Sequence, residues 1–153
     1  MNNLLKIFAA LFFSVSLYAE TVSVMTFNVE NLFDNKNDAY KTDETYLEFS
    51  KKQTPLHIKN CEKISTKRWR DDCLYIDWTD EVIEHKLNSI ASVILSYGSN
   101  GPDIIGLQEV ENKRILKKLF KKLEEAGYKH SVLLEGSDNS CLLYTSPSPR
   151  DLY

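Results

Sequence analysis

Two polar side chains, Asn28 and Glu109, each follow a short apolar segment, at residues 21–27 and 103–107 respectively. In layered α/β folds, the carboxyl ends of strands project such side chains from a rigid base into a crevice. An amide and a carboxylate at this place could bind a hard cation and a phosphate oxygen, because Mg²⁺ uses one or two carboxylates together with water and substrate phosphate. Each residue also has a simpler role: Asn28 could cap the turn at residues 29–31, and Glu109 could lie near a helix N-terminus.

Hydrophobic periodicity predicts the elements that would hold these side chains. The β-branched residues 21–27 predict a strand with Val22 and Val24 on its buried side. Residues 31–77 are polar and aromatic without a sustained period, which predicts an insertion or a long loop. A final strand is predicted at residues 128–135.

Two amphipathic helices are predicted as well. The first begins at Thr79 and ends at Gly98, and the second runs from about Asn112 to the residue before Gly127. Their predicted inward faces consist of Ile83, Leu87, Ile90, Ile94 and Tyr97 in the first helix and of Leu116, Leu119, Phe120 and Leu123 in the second. The order strand, insertion, helix, strand, helix, strand predicts an α/β layered fold with helices packed on a sheet.

The two ends of the chain are predicted to lie outside the mature domain. Residues 1–19 carry one lysine, an apolar stretch and a final Ala19, which predicts a secretory signal peptide; an amphipathic first helix is the alternative. The segment CLLYTSPSPRD, which begins at Cys141, resembles the conceptual translation of a transposase-based sequencing adapter. Residues 141–153 are therefore predicted to be a non-native tail, with a proline-rich tail as the alternative, and residues 20–140 to be the genuine, incomplete domain.

Two cysteines, Cys61 and Cys73, lie within the predicted insertion. In an exported chain, a pair at this spacing predicts a disulfide, worth about 3 kcal/mol in the chain-entropy model. A zinc site would need two more Cys or His ligands nearby, and only His57 qualifies by its position.

The formal net charge of −3 gives no overall basic footprint for nucleic acid. Four lysines lie opposite the apolar stripe of the second helix, which predicts a solvated outer face: Lys117, Lys118, Lys121 and Lys122. Arg68, Trp69 and Arg70 are candidate nucleic-acid contacts, because Trp69 lies between two arginines and could stack on a base.

Two motifs carry a resemblance to a known family. The segments VMTFNVENLFD (residues 24–34) and PDIIGLQEVEN (residues 102–112) resemble the two N-terminal motifs of the endonuclease/exonuclease/phosphatase family, the deoxyribonuclease-I-like metal-dependent phosphodiesterases. The first matches the family's strand ending in Phe-Asn, and the second matches its Asp-Ile-Ile-x-Leu-Gln-Glu-Val. The resemblance covers residues 22–139, and the insertion is similar to that of a bacterial, exported subgroup.

The resemblance implies both a fold and a site. The implied fold is a four-layer α/β sandwich, two mixed β-sheets flanked by helices, of which this chain would hold the N-terminal part. Glu109 would bind Mg²⁺, with Mn²⁺ or Ca²⁺ as substitutes, and Asn28 would belong to the phosphate and metal network. Gln108 would help to hold the Glu109 carboxylate in place without binding the ion itself. The implied reaction is in-line hydrolysis of a phosphoester.

We therefore expect a monomeric, Mg²⁺-dependent phosphodiester hydrolase. The protein is expected to be secreted or periplasmic in a bacterium, with no membrane span after signal cleavage. No stable protein partner is expected. Nucleic acid is the expected substrate, and an endonuclease the expected activity. A phosphatase or sphingomyelinase-like lipid phosphodiesterase of the same family is one alternative, and a non-catalytic exported binding module is another.

The family's later catalytic parts have no counterpart in this sequence. These parts are a central Asp-x-Asn, a later aspartate and a C-terminal Asp-His pair. His57, His85 and His130 lie outside any matching motif and are not expected to replace them. The isolated chain is accordingly expected to be inactive.

Overall fold

A computed structural model describes residues 21–39 and 41–134 of the protein, together with the backbone of residues 143–147. The predicted signal peptide at residues 1–19 lies outside the described residues, as does most of the predicted non-native tail. In the part of the chain that is described, no helix is both long and apolar enough to cross a membrane.

Four strands form one mixed sheet in the order β1-β2-β4-β3. The strands are β1 (Val24–Leu32), β2 (Ile104–Val110), β3 (Val132–Leu134) and β4 (Leu143–Pro147). β1 and β2 are parallel, whereas β4 is antiparallel to both β2 and β3. The predicted α/β class is thus confirmed. β4 lies in the segment that resembles an adapter, and its non-native origin stays a prediction.

The inserted segment contains regular structure. Two 3-10 helices (Glu44–Tyr46 and Phe49–Lys52) precede the α-helices α1 (Pro55–Glu62) and α2 (Lys67–Tyr75). A start signal for α1 is present in the sequence, since Thr54 caps the helix and Pro55 occupies its first position. Helices of about two turns are too short to show a sustained period. The prediction of a structureless long loop was therefore wrong.

A disulfide between Cys61 of α1 and Cys73 of α2 joins these two helices, with the Cα atoms 5.6 Å apart. His57 is buried beside the disulfide, where its Nε2 lies 3.0 Å from the Cys73 carbonyl oxygen and 3.2 Å from the Cys61 sulfur. Lys52 is also buried, and its ammonium donates to the Thr45 carbonyl at 2.6 Å. Because the two sulfur atoms are bonded to each other, they are not thiolate ligands, and the structure gives no support to a zinc site at His57.

Two further helices cover one side of the sheet. α3 (Asp80–Leu95) begins after its N-cap Thr79, and α4 (Lys113–Leu123) continues into a 3-10 turn (Glu124–Ala126). All but one of the residues predicted to face inward are buried or partly buried: Ile83, Leu87, Ile90, Ile94, Leu116, Leu119, Phe120 and Leu123. The exception is Tyr97, which lies beyond the end of α3 and is 54% exposed.

The buried side of β1 differs from the predicted one. Val22 and Val24 are 51% and 64% exposed, whereas Met25 and Phe27 are partly buried and Val29 packs in the core beneath the helices. Side chains alternate between the two faces of a strand, so the helices cover the odd-numbered positions. The prediction for Val22 and Val24 was wrong because an apolar run does not reveal which of its faces the helices cover.

Gly101 allows the loop before β2 to approach α3 closely. A Cβ at this position would lie 2.6 Å from the Tyr128 hydroxyl and 3.2 Å from the Ile94 carbonyl, and φ is +85°. Gly98 has a φ of +62°, but a Cβ there would meet open space within the described residues.

We expect Gly101→Ala to lower the free energy of unfolding by roughly 1–2 kcal/mol more than Gly98→Ala, which adds backbone strain alone. Equilibrium urea denaturation measures this difference, and equal losses in the two variants would contradict it.

Candidate functional site

The carboxyl ends of β1 and β2 lie side by side, because the two strands are parallel and in register. Asn28 is opposite Gln108, and a bulge follows Asn28. At this bulge, Glu30, Asn31 and Glu109 adopt positive φ angles of 51°, 61° and 65°. Such angles are uncommon outside glycine and cost on the order of 1–3 kcal/mol each. Irregular backbone of this kind therefore shapes the sheet edge where both candidate residues lie.

The structure brings the side chains of Asn28 and Glu109 together. Asn28 Nδ2 donates to Glu109 Oε1 at 2.7 Å, and the backbone N–H of Asn31 donates to Glu109 Oε2 at 3.0 Å. The side-chain oxygen of Asn28 accepts a hydrogen bond from the backbone N–H of Glu30 at 2.8 Å. Asn28 therefore caps the turn with its oxygen and holds the carboxylate with its nitrogen, so its two predicted roles are compatible.

Asn112 and Gln108 lie near Glu109 in the sequence, and each makes hydrogen bonds to other groups. Asn112 is the N-cap of α4, and its Oδ1 accepts hydrogen bonds from the amides of Arg114 and Ile115 at 2.8 and 3.1 Å. Glu109 is thus not needed as a cap. The Gln108 amide donates to the Gly106 carbonyl at 3.4 Å, and no hydrogen bond joins it to Glu109 among the described residues. Its role in fixing the carboxylate stays a prediction.

The donor set at Glu109 suits a hard divalent cation. The residue is partly exposed, each of its carboxylate oxygens accepts one hydrogen bond from a neutral donor, and no ion pair within the described residues engages it. A carboxylate offers about four acceptor positions, so both oxygens retain lone pairs. One carboxylate with room for water and phosphate is a coordination pattern typical of Mg²⁺. The residues present therefore fit the ion that the family implies.

A lysine of α3, Lys86, lies beside this carboxylate and was not predicted from the sequence. Its Nζ donates to the Glu30 carbonyl at 2.7 Å and lies 5.9 Å from the ring centroid of Trp78. Burial lowers the pKa of Lys86, and the carboxylates of Glu30 and Glu109 oppose that shift. Nothing in its local sequence distinguishes Lys86 from the other polar residues of an amphipathic helix.

An aromatic cluster is formed by Phe33, Tyr46 and Trp78. Tyr46 stacks on Phe33 with ring centroids 4.1 Å apart and meets Trp78 edge-on at 5.2 Å. Burial raises the pKa of Tyr46, and the carboxylates of Asp72 and Glu109 raise it further. The charge of Glu109 thus acts on a side chain of the inserted segment. The sequence indicated only that the segment is aromatic.

Behind this edge, Arg114 of α4 joins two aspartates of the segment that follows β1. Its Nε donates to Asp34 Oδ2 at 2.8 Å, and its Nη2 donates to Asp38 Oδ1 at 2.7 Å. The hydrogen bond to Asp34 is the main reason that the pKa of Arg114 lies above its ordinary value, and the hydrogen bond to Asp38 raises it further. Glu111 Oε2 accepts from the Asp34 amide at 2.8 Å, and burial raises the pKa of Glu111 to about 8.

The Arg114 contacts can be tested by stability. Replacing Arg114 with methionine keeps much of the apolar stem but leaves the buried Asp34 without its charged donor. We expect Arg114→Met to lower the free energy of unfolding by about 1–3 kcal/mol, the usual cost of losing one partner of a buried polar group. Arg68→Met, at an exposed position, is the matched control and should change it by less than about 0.5 kcal/mol. Equal effects in a chemical denaturation series would argue against the Arg114 contacts.

The predicted nucleic-acid contacts and the lysines of α4 do not bond to the Asn28–Glu109 pair within the described residues. Trp69 is 64% exposed on α2, Arg68 is exposed, and Arg70 donates to the Ile64 carbonyl at 2.8 Å. Within the described chain, no hydrogen bond or ion pair links these three residues to Glu109. Their contact with nucleic acid stays a prediction. Lys117, Lys118 and Lys121 are exposed as predicted, and Lys118 pairs with Asp80 at 3.5 Å. Lys122 is instead partly buried and pairs with Glu84 of α3 at 2.7 Å.

The protein is thus an α/β protein that presents a carboxylate and an amide together at the edge of its sheet, on two parallel strands. A sequence model of the endonuclease/exonuclease/phosphatase family matches residues 73–141, which include Glu109. The match confirms the resemblance to this family over residues 73–141, which make up less than half of the chain. No curated protein and no solved structure matches the chain.

Proposed function

We propose that this chain is the N-terminal portion of an exported, Mg²⁺-dependent phosphodiester hydrolase that acts as an endonuclease on nucleic acid. One observation carries the proposal: the Glu109 carboxylate is held by the Asn28 amide at 2.7 Å where two parallel strands end. The family match, which covers Glu109, supports a phosphoesterase in general terms.

In the proposed mechanism, a bound Mg²⁺ would polarise a phosphoryl oxygen and stabilise negative charge on the leaving group. Glu109 would hold the ion, and the two hydrogen bonds from Asn28 and Asn31 keep its carboxylate in one orientation. The second N–H of the Asn28 amide is suited to donate to a phosphate oxygen. The Lys86 ammonium adds a positive charge beside the carboxylate for an anionic substrate.

We also propose that the sheet belongs to a four-layer sandwich. Four apolar side chains are about half exposed or more on the described strands or next to them: Val22, Val24, Val132 and Leu134. A second sheet packed on β1 and β3 would bury this surface, as expected for an antiparallel or mixed sheet whose two faces are both apolar.

Two features support the proposed substrate and location. Exposed Trp69, and the partly buried pair Tyr46 and Trp78, offer aromatic surfaces on which bases can stack. The disulfide between Cys61 and Cys73 is typical of an oxidising compartment, which is consistent with a secreted or periplasmic protein.

Plasmid nicking tests this proposal in the complete protein encoded by the source gene. We expect conversion of supercoiled to relaxed DNA with Mg²⁺, and loss of that conversion with a chelator. Unchanged plasmid alongside hydrolysed sphingomyelin or inositol phosphate would replace the endonuclease with a lipid phosphodiesterase or phosphatase. Binding of DNA with no turnover of any of these substrates would favour the non-catalytic binding module.

A further inference from the structure

Four carboxylates converge where the segment after β1 meets the start of α4. They belong to Asp34, Asp38, Asp43 and Glu111, and Arg114 is the one cation bonded to them among the described residues. Arg114 contacts Asp34 and Asp38 but not the other two. Asp43 and Glu111 therefore place two carboxylates deep in the protein without a cationic partner in the described chain.

Two oxygen atoms of this cluster lack any hydrogen-bond donor. Within the described residues, Asp43 Oδ1 and Glu111 Oε1 are fully buried and meet no N–H or O–H donor, and the side chains of Asp43 and Glu111 lie within hydrogen-bond reach of each other. The residues themselves are 2% and 7% exposed. Burying a carboxylate oxygen without a partner costs several kcal/mol, so such atoms ordinarily bind a donor or a metal ion.

The spacing of the cluster matches the needs of one ion. One oxygen each from Asp38, Asp43 and Glu111 lies within 4.8 Å of the other two. Ca–O bonds of about 2.4 Å can span such separations, and Ca²⁺ accepts carboxylates from a loop in irregular geometry. Mg²⁺ demands bonds of about 2.0–2.1 Å in a near-ideal octahedron and retains water, which suits the open edge at Glu109 better than this buried cluster.

We propose that Asp43 and Glu111, together with Asp38, bind a calcium ion that fastens the segment after β1 to the start of α4. The Asp38 carboxylate already accepts from Arg114 at 2.7 Å and from Asn112 Nδ2 at 3.2 Å, so it contributes a remaining lone pair. Asp43 Oδ2 accepts from the Asp38 amide at 2.8 Å, which leaves Oδ1 to the ion. The site is separate from Glu109, whose carboxylate is held by Asn28 and Asn31.

Calcium binding to the full, oxidised chain tests this site directly. Equilibrium dialysis with radioactive Ca²⁺ as the probe should find an ion that the unmodified chain binds and that remains bound in Glu109→Gln. Asp43→Asn keeps the side-chain shape but removes a ligand charge, and should weaken binding at least about tenfold. Glu125→Gln, at an exposed position, is the matched control and should bind as the unmodified chain does.

The thermal unfolding midpoint distinguishes loss of the calcium site from misfolding of the Asp43→Asn variant. Ca²⁺ should raise the unfolding midpoint of the unmodified chain in a concentration-dependent way, and it should do so far less in a folded Asp43→Asn chain, as judged by circular dichroism. The proposal fails if the unmodified chain binds no Ca²⁺ at millimolar concentration. It also fails if Glu109→Gln abolishes binding while Asp43→Asn retains it, because the ion would then occupy the edge site. Stabilisation of the unmodified chain by acid alone, with no response to Ca²⁺, would instead indicate a proton shared by Asp43 and Glu111.

Discussion

Replacing Glu109 with glutamine should lower the Mg²⁺-dependent cleavage rate of the complete protein by roughly 10³-fold. A metal ion on a phosphoryl oxygen contributes several kcal/mol to transition-state stabilisation, and each 1.36 kcal/mol corresponds to a factor of ten. Glutamine keeps the volume and one carbonyl oxygen but removes the negative charge that we propose binds the ion. The measurement is the initial rate of plasmid nicking over a range of Mg²⁺ concentrations.

The Glu109→Gln variant must stay folded for this loss to be informative. The carboxylate is partly exposed and accepts two hydrogen bonds, of which the glutamine oxygen can still accept one. We expect a change in the free energy of unfolding of no more than about 1 kcal/mol. Glu125→Gln removes the same charge from an exposed position and should keep full activity. Nicking by Glu109→Gln at the rate of this control would remove Glu109 from the site.

Removal of the disulfide should have the largest effect on stability. Cys61 and Cys73 are 12 residues apart in sequence and join α1 to α2. In the chain-entropy model, the double variant Cys61→Ser/Cys73→Ser loses about 3 kcal/mol, because its unfolded chain gains conformational freedom. Both positions are buried, so the serine hydroxyls add to the loss. Equilibrium denaturation under oxidising conditions provides the measurement.

A second denaturation series separates the disulfide from a general effect of cysteine replacement. Under reducing conditions the unmodified chain should lose stability to nearly the level of the double variant, whereas the variant itself should not respond to reductant. Cys141→Ser, which leaves the pair untouched, should retain the full stability. If the unmodified chain and the double variant are equally stable under oxidising conditions, the disulfide does not stabilise this protein.

The sequence predicts the Asn28–Glu109 pair well because the pair depends on local features. Each residue lies within a strand at the end of its apolar run, Asn28 directly and Glu109 one residue further on, and parallel strands bring such positions to one edge. The two helices over the sheet are likewise encoded locally, by an apolar stripe and by glycines at their ends. These elements lie where periodicity placed them, apart from small differences at their boundaries.

The rest of the site depends on contacts between residues distant in sequence. The charge of Glu109 acts on Tyr46 of the distant insertion, and Lys86 donates to Glu30 from 56 residues away in the sequence. The cluster of Asp43 and Glu111 arises in the same way. Periodicity and capping rules describe a residue's own element, so they cannot report which side chains from separate elements meet. The covered face of β1 was mispredicted for this reason as well.

Metal binding at the edge carboxylate tests the central claim most directly, and Mn²⁺ serves as a paramagnetic substitute because it takes the same oxygen ligands as Mg²⁺. The sample is the ¹⁵N-labelled full chain carrying Asp43→Asn, so that the acidic cluster does not contribute. We predict that the amide signals of residues 28–31 and 109–110 broaden first, that excess Mg²⁺ restores them, and that adding Glu109→Gln abolishes the broadening. Broadening that is unchanged by Glu109→Gln would contradict the assignment of Glu109 as the ligand of the divalent cation.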